Sequence, residues 1–179
     1  MKQILFLIII STTCILIQGN DLNKDGIWVE WNISKSGVPE NAVIGGHDFT
    51  GDLYVIRANH NHVDGYRGKI AGKYSPNGKY ASVPYHHKEH PKHDFEILTH
   101  TNYIWKSNTN QTENLIPGGY VFQYTQYICR GIVDDDWIPG KLAHFGYCYV
   151  SYDGKEIPFD SEPPYYHSWE VLERNNKTL

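Results

Sequence analysis

The segments VPYHHKEHP (83–91) and VSYDGKEIP (150–158) share Val, Tyr, Lys, Glu and Pro in register, and the match does not stand alone. YVIRA around Arg57 answers YICRG around Arg130, and Gly45-Gly46 answers Gly118-Gly119. Gly68-Lys69 answers Gly140-Lys141, and FEIL (95–98) answers WEVL (169–172). Trp31 precedes the first glycine pair as Trp105 precedes the second. A chain that repeats itself once has to fold as two copies of one set of elements. Each copy alone would leave an apolar face in water, whereas two packed together can bury it.

The elements are strands. Glycines and prolines interrupt the chain at short intervals, and its apolar residues are largely Tyr, Val, Ile, Phe and Trp in runs such as LYVIRA and YCYVSY. Such residues suit a pleated, half-buried surface. The sequence therefore predicts an all-β, compact domain of two pseudo-symmetric tandem repeats of short antiparallel strands, sandwich-like. The first repeat spans 20–100 and the second 101–179, with a seam near Thr99–Tyr103.

Residues 1–19 form a separate unit. One basic residue, Lys2, precedes an apolar run from Ile4 to Ile17, which is shorter than the roughly 20 residues a membrane-spanning helix needs. This is the pattern of a signal peptide, so a secreted, extracellular protein without a transmembrane segment is expected; an N-terminal anchor is the alternative. The formal net charge is −4 with no basic block, which argues against nucleic acid or an anionic membrane as partner. Sequons at Asn32, Asn110 and Asn176 are candidate glycosylation sites. Cys14 leaves with the signal peptide. Cys129 and Cys148 remain as an even pair suited to one disulfide, with two buried thiols as the alternative.

The repeat also serves as an internal control. His86, His87 and His90 suggest a metal, yet they face Asp153, Gly154 and Ile157, while Lys88-Glu89 faces Lys155-Glu156. The shared requirement is the lysine–glutamate pair. HHKEH is not a zinc-helix spacing, and Pro84 and Pro91 exclude a helix, so neither metal nor other cofactor is expected. Cys129 aligns with Ile56 and Cys148 with Ala81, so both thiols belong to the second half.

Sugar hydroxyls donate and accept, so a sugar site wants a fixed carboxylate beside a fixed cation, with aromatic faces against the C–H side of the ring. Asp48 in GGHDFTGD and Lys69 would supply one of each. Lys141, Lys88, Glu89, Lys155 and Glu156 join them as candidate ligand-binding residues. Arg57 with Glu96 and Arg130 with Glu170 are read instead as structural ion pairs. Shallow sites of this sort bind weakly, so avidity would come from both halves or from a homodimer.

With W31, VPENAVIGGHD, YVIRA, GK, VPYHHKEH and FEIL in the first half, and W105, GGY, CRG, IPGK, CYVSYDGKE and WEVL in the second, nearly the whole mature chain resembles the DM-nine repeat family. The resemblance implies a tandem-repeat all-β fold and mannose-binding lectin activity, directed at mannose-type glycans or microbial surface polysaccharide. It implies sugar contacts by the acid after the glycine pair and the lysine of the Pro-Gly-Lys turn, which by correspondence are Asp48 and Lys69, with Lys141 equivalent in the second half. Val121 stands where the second half would need the acid, and the turn before Lys69 lacks the proline found at Pro139. Three other classes compete. A glycoside hydrolase needs two suitably spaced carboxylates, and Asp134-Asp135-Asp136 reads as a solvated turn. A recognition module of a pore-forming protein and a secreted interaction module without sugar specificity are the others.

Overall fold

A computed structural model of the protein describes residues 26–61, 65, 67–100, 102–107, 114–143, 146–160 and 168–175. The expected signal peptide, Asn110 and Asn176 lie outside the described residues. Among the described residues the regular elements are all strands: β1 (Ile27–Asn32), β2 (Ile44–Asp48), β3 (Gly51–Asn61), β4 (Arg67–Ser75), β5 (Tyr80–Tyr85), β6 (Lys88–Pro91) and β7 (Asp94–Thr99), then β8 (Tyr103–Ser107), β9 (Pro117–Val121), β10 (Tyr124–Val133), β11 (Asp136–Leu142), β12 (Cys148–Tyr152), β13 (Lys155–Phe159) and β14 (Trp169–Arg174).

Antiparallel pairing runs from β4 through β5, β6, β13, β12, β11, β10 and β9, and returns to β4 where Lys69 faces Tyr120. Eight strands thus close into a barrel, and the sandwich expected from the sequence is not formed. The physical reason lies in two joins. Lys88 faces Lys155 across β6 and β13, and β9 lies beside β4, so the two halves meet edge to edge. Closure removes the strand edges that two stacked sheets would leave open. Outside the ring, β3 carries β2, β7 and β1, while β10 carries β14 and β8.

Residues of both halves share the core. One cluster joins Val43, Val55, Ala71 and Leu98 to Ile116, Ile128 and Leu172. Close crossings explain the glycine pairs. A Cβ on Gly46 would stand 1.7 Å from the Trp137 carbonyl oxygen, and one on Gly119 would stand 2.1 Å from that of Lys69. Any side chain there would hold β2 off β11, or β9 off β4.

The cysteines form a disulfide, Cys129–Cys148, inside a buried cluster with Val150, Phe159 and Trp169. Their first-half counterparts, Ile56 and Ala81, are packed in a second buried cluster. The histidines are explained by their backbone. His86 and His87, at φ 48° and 64°, are the two central residues of the β5–β6 hairpin. Asp153 and Gly154, at φ 49° and 75°, do the same for β12–β13. Both positions are left-handed, as the tightest hairpin turn demands. Among the described residues no group of three or more His, Cys, Asp or Glu side chains is placed to hold a metal ion.

Candidate functional site

Two lysine–glutamate couples, each with a buried lysine, lie where the halves meet. Lys73, on β4, places Nζ 3.2 Å from Glu89 Oε1 and donates to the Ser151 carbonyl at 2.6 Å. Lys141, on β11, places Nζ 2.9 Å from Glu156 Oε1 and donates to the Pro84 carbonyl at 2.8 Å. Each glutamate then reaches across: the Gly154 amide donates to Glu89 at 2.9 Å, and the His87 amide to Glu156 at 2.7 Å. The ring of Tyr152 lies 5.4 Å from Lys73, and that of Tyr85 lies 5.1 Å from Lys141. Every polar group in these couples has a partner from the opposite half, which is what burying a charge requires.

Burial pulls both ammonium groups below the usual lysine range, against the opposing pull of Glu89 and Glu156. Burial would raise the Glu89 carboxyl, but the Lys73 charge and hydrogen bonds from Ser82 and Gly154 outweigh it, so its pKa is lowered.

The Lys73 couple adjoins a cavity with an additional acid. Asp48 ends β2 and is buried. Its carboxylate accepts from the Thr50 amide at 2.8 Å, from the Thr50 hydroxyl and from the Tyr80 hydroxyl. Burial alone would raise this carboxyl; those bonds and the Lys73 charge hold it below the usual value. Burial, together with the same contact with Asp48, raises Tyr80 well above the ordinary phenol. The cavity, about 660 Å³, is lined by Asp48, Phe49, Lys73, Tyr80, Glu89 and Tyr152, with turn residues at its mouth. It presents a fixed anion, a fixed cation and three aromatic rings to one space.

The lysine beside Asp48 is therefore Lys73, and the expected Asp48–Lys69 pair is not formed. Asp48 faces Gly51 and Lys69 faces Asn59, eight residues apart along β3, a separation of roughly 26 Å at strand rise. Lys69 instead binds Glu96 at 2.5 Å, alongside Arg57 at 2.7 Å, in a separate cleft of about 380 Å³ with Glu30, Trp31 and Lys35. The expected equivalence of Lys69 and Lys141 fails for the same reason. Arg57 faces Ala71, fourteen residues on, whereas Arg130 faces Pro139, nine on. The first hairpin is longer by five residues, so Lys73 takes the place of Lys141 and Lys69 that of Trp137. Ile70-Ala71-Gly72-Lys73 beside Ile138-Pro139-Gly140-Lys141 was the signal available in the sequence.

The first-half tryptophan shifts likewise. Trp28 faces Leu98 as Trp105 faces Leu172, and the two cover Arg57 and Arg130 at 4.2 and 4.4 Å, so Trp28 rather than Trp31 is the counterpart of Trp105. Arg57–Glu96 and Arg130–Glu170 are ion pairs, at 2.7 and 2.6 Å. Lys88 and Lys155 are exposed and face each other at the β6–β13 join, away from the lining of the Asp48 cavity. Val121 faces Tyr124 just as Asp48 faces Gly51, so the second couple has no such acid. Asn32 accepts from the Ser34 amide at 2.7 Å and donates to Asp94 at 3.0 Å.

One family model, the DM9 repeat, matches residues 50–159. The chain belongs to the DM9 repeat family. Among solved structures it is similar to the crystal structure of the nematode sperm cell motility protein MFP2B, at 17% identity and a TM-score of 0.61. The match covers 86% of this chain and 48% of that one, so the chain spans about half the length of that protein, and at this identity the likeness is one of fold. No curated protein matches the chain in sequence.

Proposed function

We propose that this is a secreted, non-enzymatic carbohydrate-binding protein that recognises mannose-type glycans or microbial surface polysaccharide, as an innate-immune lectin would, through the Asp48–Lys73 cavity. The observation that carries the proposal is the juxtaposition itself. A carboxylate and an ammonium, both held by neighbours, border one aromatic-walled space, which is the arrangement a hydroxyl-rich ring requires. The two lysine–glutamate couples are the copies of one duplicated, pseudo-symmetric device, and only the first retains the acid. A single chain then offers one complete site, and avidity comes from a homodimer.

Binding without turnover is supported by the two inner carboxylates of the cavity. Hydrolysis needs one carboxyl kept protonated as the acid, whereas Asp48 and Glu89 are both held below the ordinary carboxylate range. The test is retention on mannan-agarose with elution by free mannose. Asp48→Asn and Lys73→Met are expected to abolish retention, since a lost charge-assisted bond costs about 1.5–3 kcal/mol; Lys69→Ala is expected to leave it intact. Retention by correctly folded Asp48→Asn removes the site assignment. The second reading is a secreted interaction module without sugar specificity. A folded wild-type chain that passes through mannan unretarded would favour it.

A further inference from the structure

The Asp48 cavity carries more negative charge than a neutral hexose calls for. Its lining holds the carboxylates of Asp48, Glu89, Asp134 and Asp153 against the single ammonium of Lys73. That ammonium is engaged by Glu89 at 3.2 Å, which leaves three carboxylates without a cation in the lining to balance them. Asp134 and Asp153 are exposed at the mouth, on the β10–β11 and β12–β13 turns, and the Tyr152 hydroxyl donates to Asp134. Lys79 and Lys155 are exposed near the rim in sequence, but neither lines the cavity.

The rings make a second, independent observation. Tyr80 and Tyr152 each place a ring 5.4 Å from the Lys73 ammonium, so the inner wall already holds one cation against aromatic rings. Phe49, 90% exposed and part of the same lining, offers a third ring at the entrance. Carboxylates and aromatic rings converging on one space form a receptor for an ammonium group. We infer that the saccharide taken by this cavity bears a free amine, whose protonated nitrogen sits at the mouth between Asp134, Asp153 and the rings, while neighbouring hydroxyls reach Asp48 and Lys73. This rests on the sugar-binding proposal above and narrows it to a cationic ligand, the chemistry of a polysaccharide with unacetylated amino sugars.

The experiment titrates the mature chain calorimetrically with a glucosamine oligomer, with the same oligomer fully N-acetylated, and with a manno-oligosaccharide. Acetylation keeps the ring and removes the charge. The amine form is expected to bind about tenfold more tightly than the acetylated one, with the margin shrinking at about 0.5 M salt. Asp134→Asn combined with Asp153→Asn should erase that margin by weakening the amine form more than the acetylated one; asparagine suits both left-handed turn positions, so the fold is retained. Equal binding of the two glucosamine oligomers, or a margin that survives the double substitution, overturns the inference and leaves sugar binding standing. Failure of all three oligomers to bind overturns the sugar-binding proposal as well.

Discussion

At the scale of single residues, the β5–β6 turn and the hydrogen-bonded carboxylates make separate demands. His86 and His87 occupy left-handed backbone at φ 48° and 64°, a region that asparagine and glycine enter at lower cost. The bond from this turn to Glu156 comes from the His87 backbone amide, which survives replacement of the side chain. His86→Asn with His87→Gly is therefore expected to raise stability by about 1 kcal/mol, read as a higher urea midpoint at unchanged slope. Asp48, Glu89 and Glu96 all have pKa values lowered from 3.8, 4.5 and 4.5. A carboxyl whose folded pKa lies below its unfolded one lends stability above the unfolded value and loses it as pH falls through the folded one. Thermal midpoints should stay nearly flat from neutral pH to about 5 and drop steeply below about 4.5; in Glu89→Gln the drop should be shallower. Here the sequence was informative to an unequal degree. Glu89 could be found by comparing the halves, because its neighbours match, whereas its partner is Lys73 and not the adjacent Lys88, and Asp48 has Val121 as its counterpart. Lys73 could not be found by counting from Arg57, because hairpin length leaves no mark on the matched residues at either end.

At the scale of elements, β10 and β12 are tied by Cys129–Cys148, where the first half relies on Ile56 and Ala81. Both pairs lie in apolar clusters, so the two halves solve one packing problem by different means. The bond closes a loop with a sequence separation of 19, for which chain entropy gives about 3 kcal/mol. Cys129→Ile with Cys148→Ala, which installs the first-half pair, should fold to the same barrel and lose about that much, measured by chemical denaturation. A loss near zero would mean that packing alone holds the β10–β12 contact. Strand content was legible in the sequence because β-branched and aromatic runs alternate with turn residues. The way the strands join was not. The β6–β13 and β4–β9 contacts each rest on a single paired residue in each strand, Lys88 with Lys155 and Lys69 with Tyr120. No periodicity in either half encodes such a contact, so a stacked pair of sheets and a closed ring read alike.

At the scale of the molecule, the two lysine–glutamate couples add side-chain bonds between the halves to their short strand contacts. Lys73 is 3% exposed, and its ammonium is satisfied by Glu89 from its own half and by the Ser151 carbonyl from the other. Taking away the glutamate strands a buried cation. Glu89→Ala is therefore expected to cost about 3–5 kcal/mol, enough to leave a domain of this size marginally folded. Replacing both charges, in Lys73→Met with Glu89→Leu, removes the stranded cation and the stranded carboxylate together, and should recover most of that loss. The double variant would keep the barrel but lose the cation from the Asp48 cavity. Stability and ligand retention should then part company: an unfolding midpoint near that of the wild type with no retention on mannan. If the double variant is as unstable as Glu89→Ala, the couple is a rigid structural requirement of the join. If it is stable and still binds, the ammonium of Lys73 takes no part in recognition.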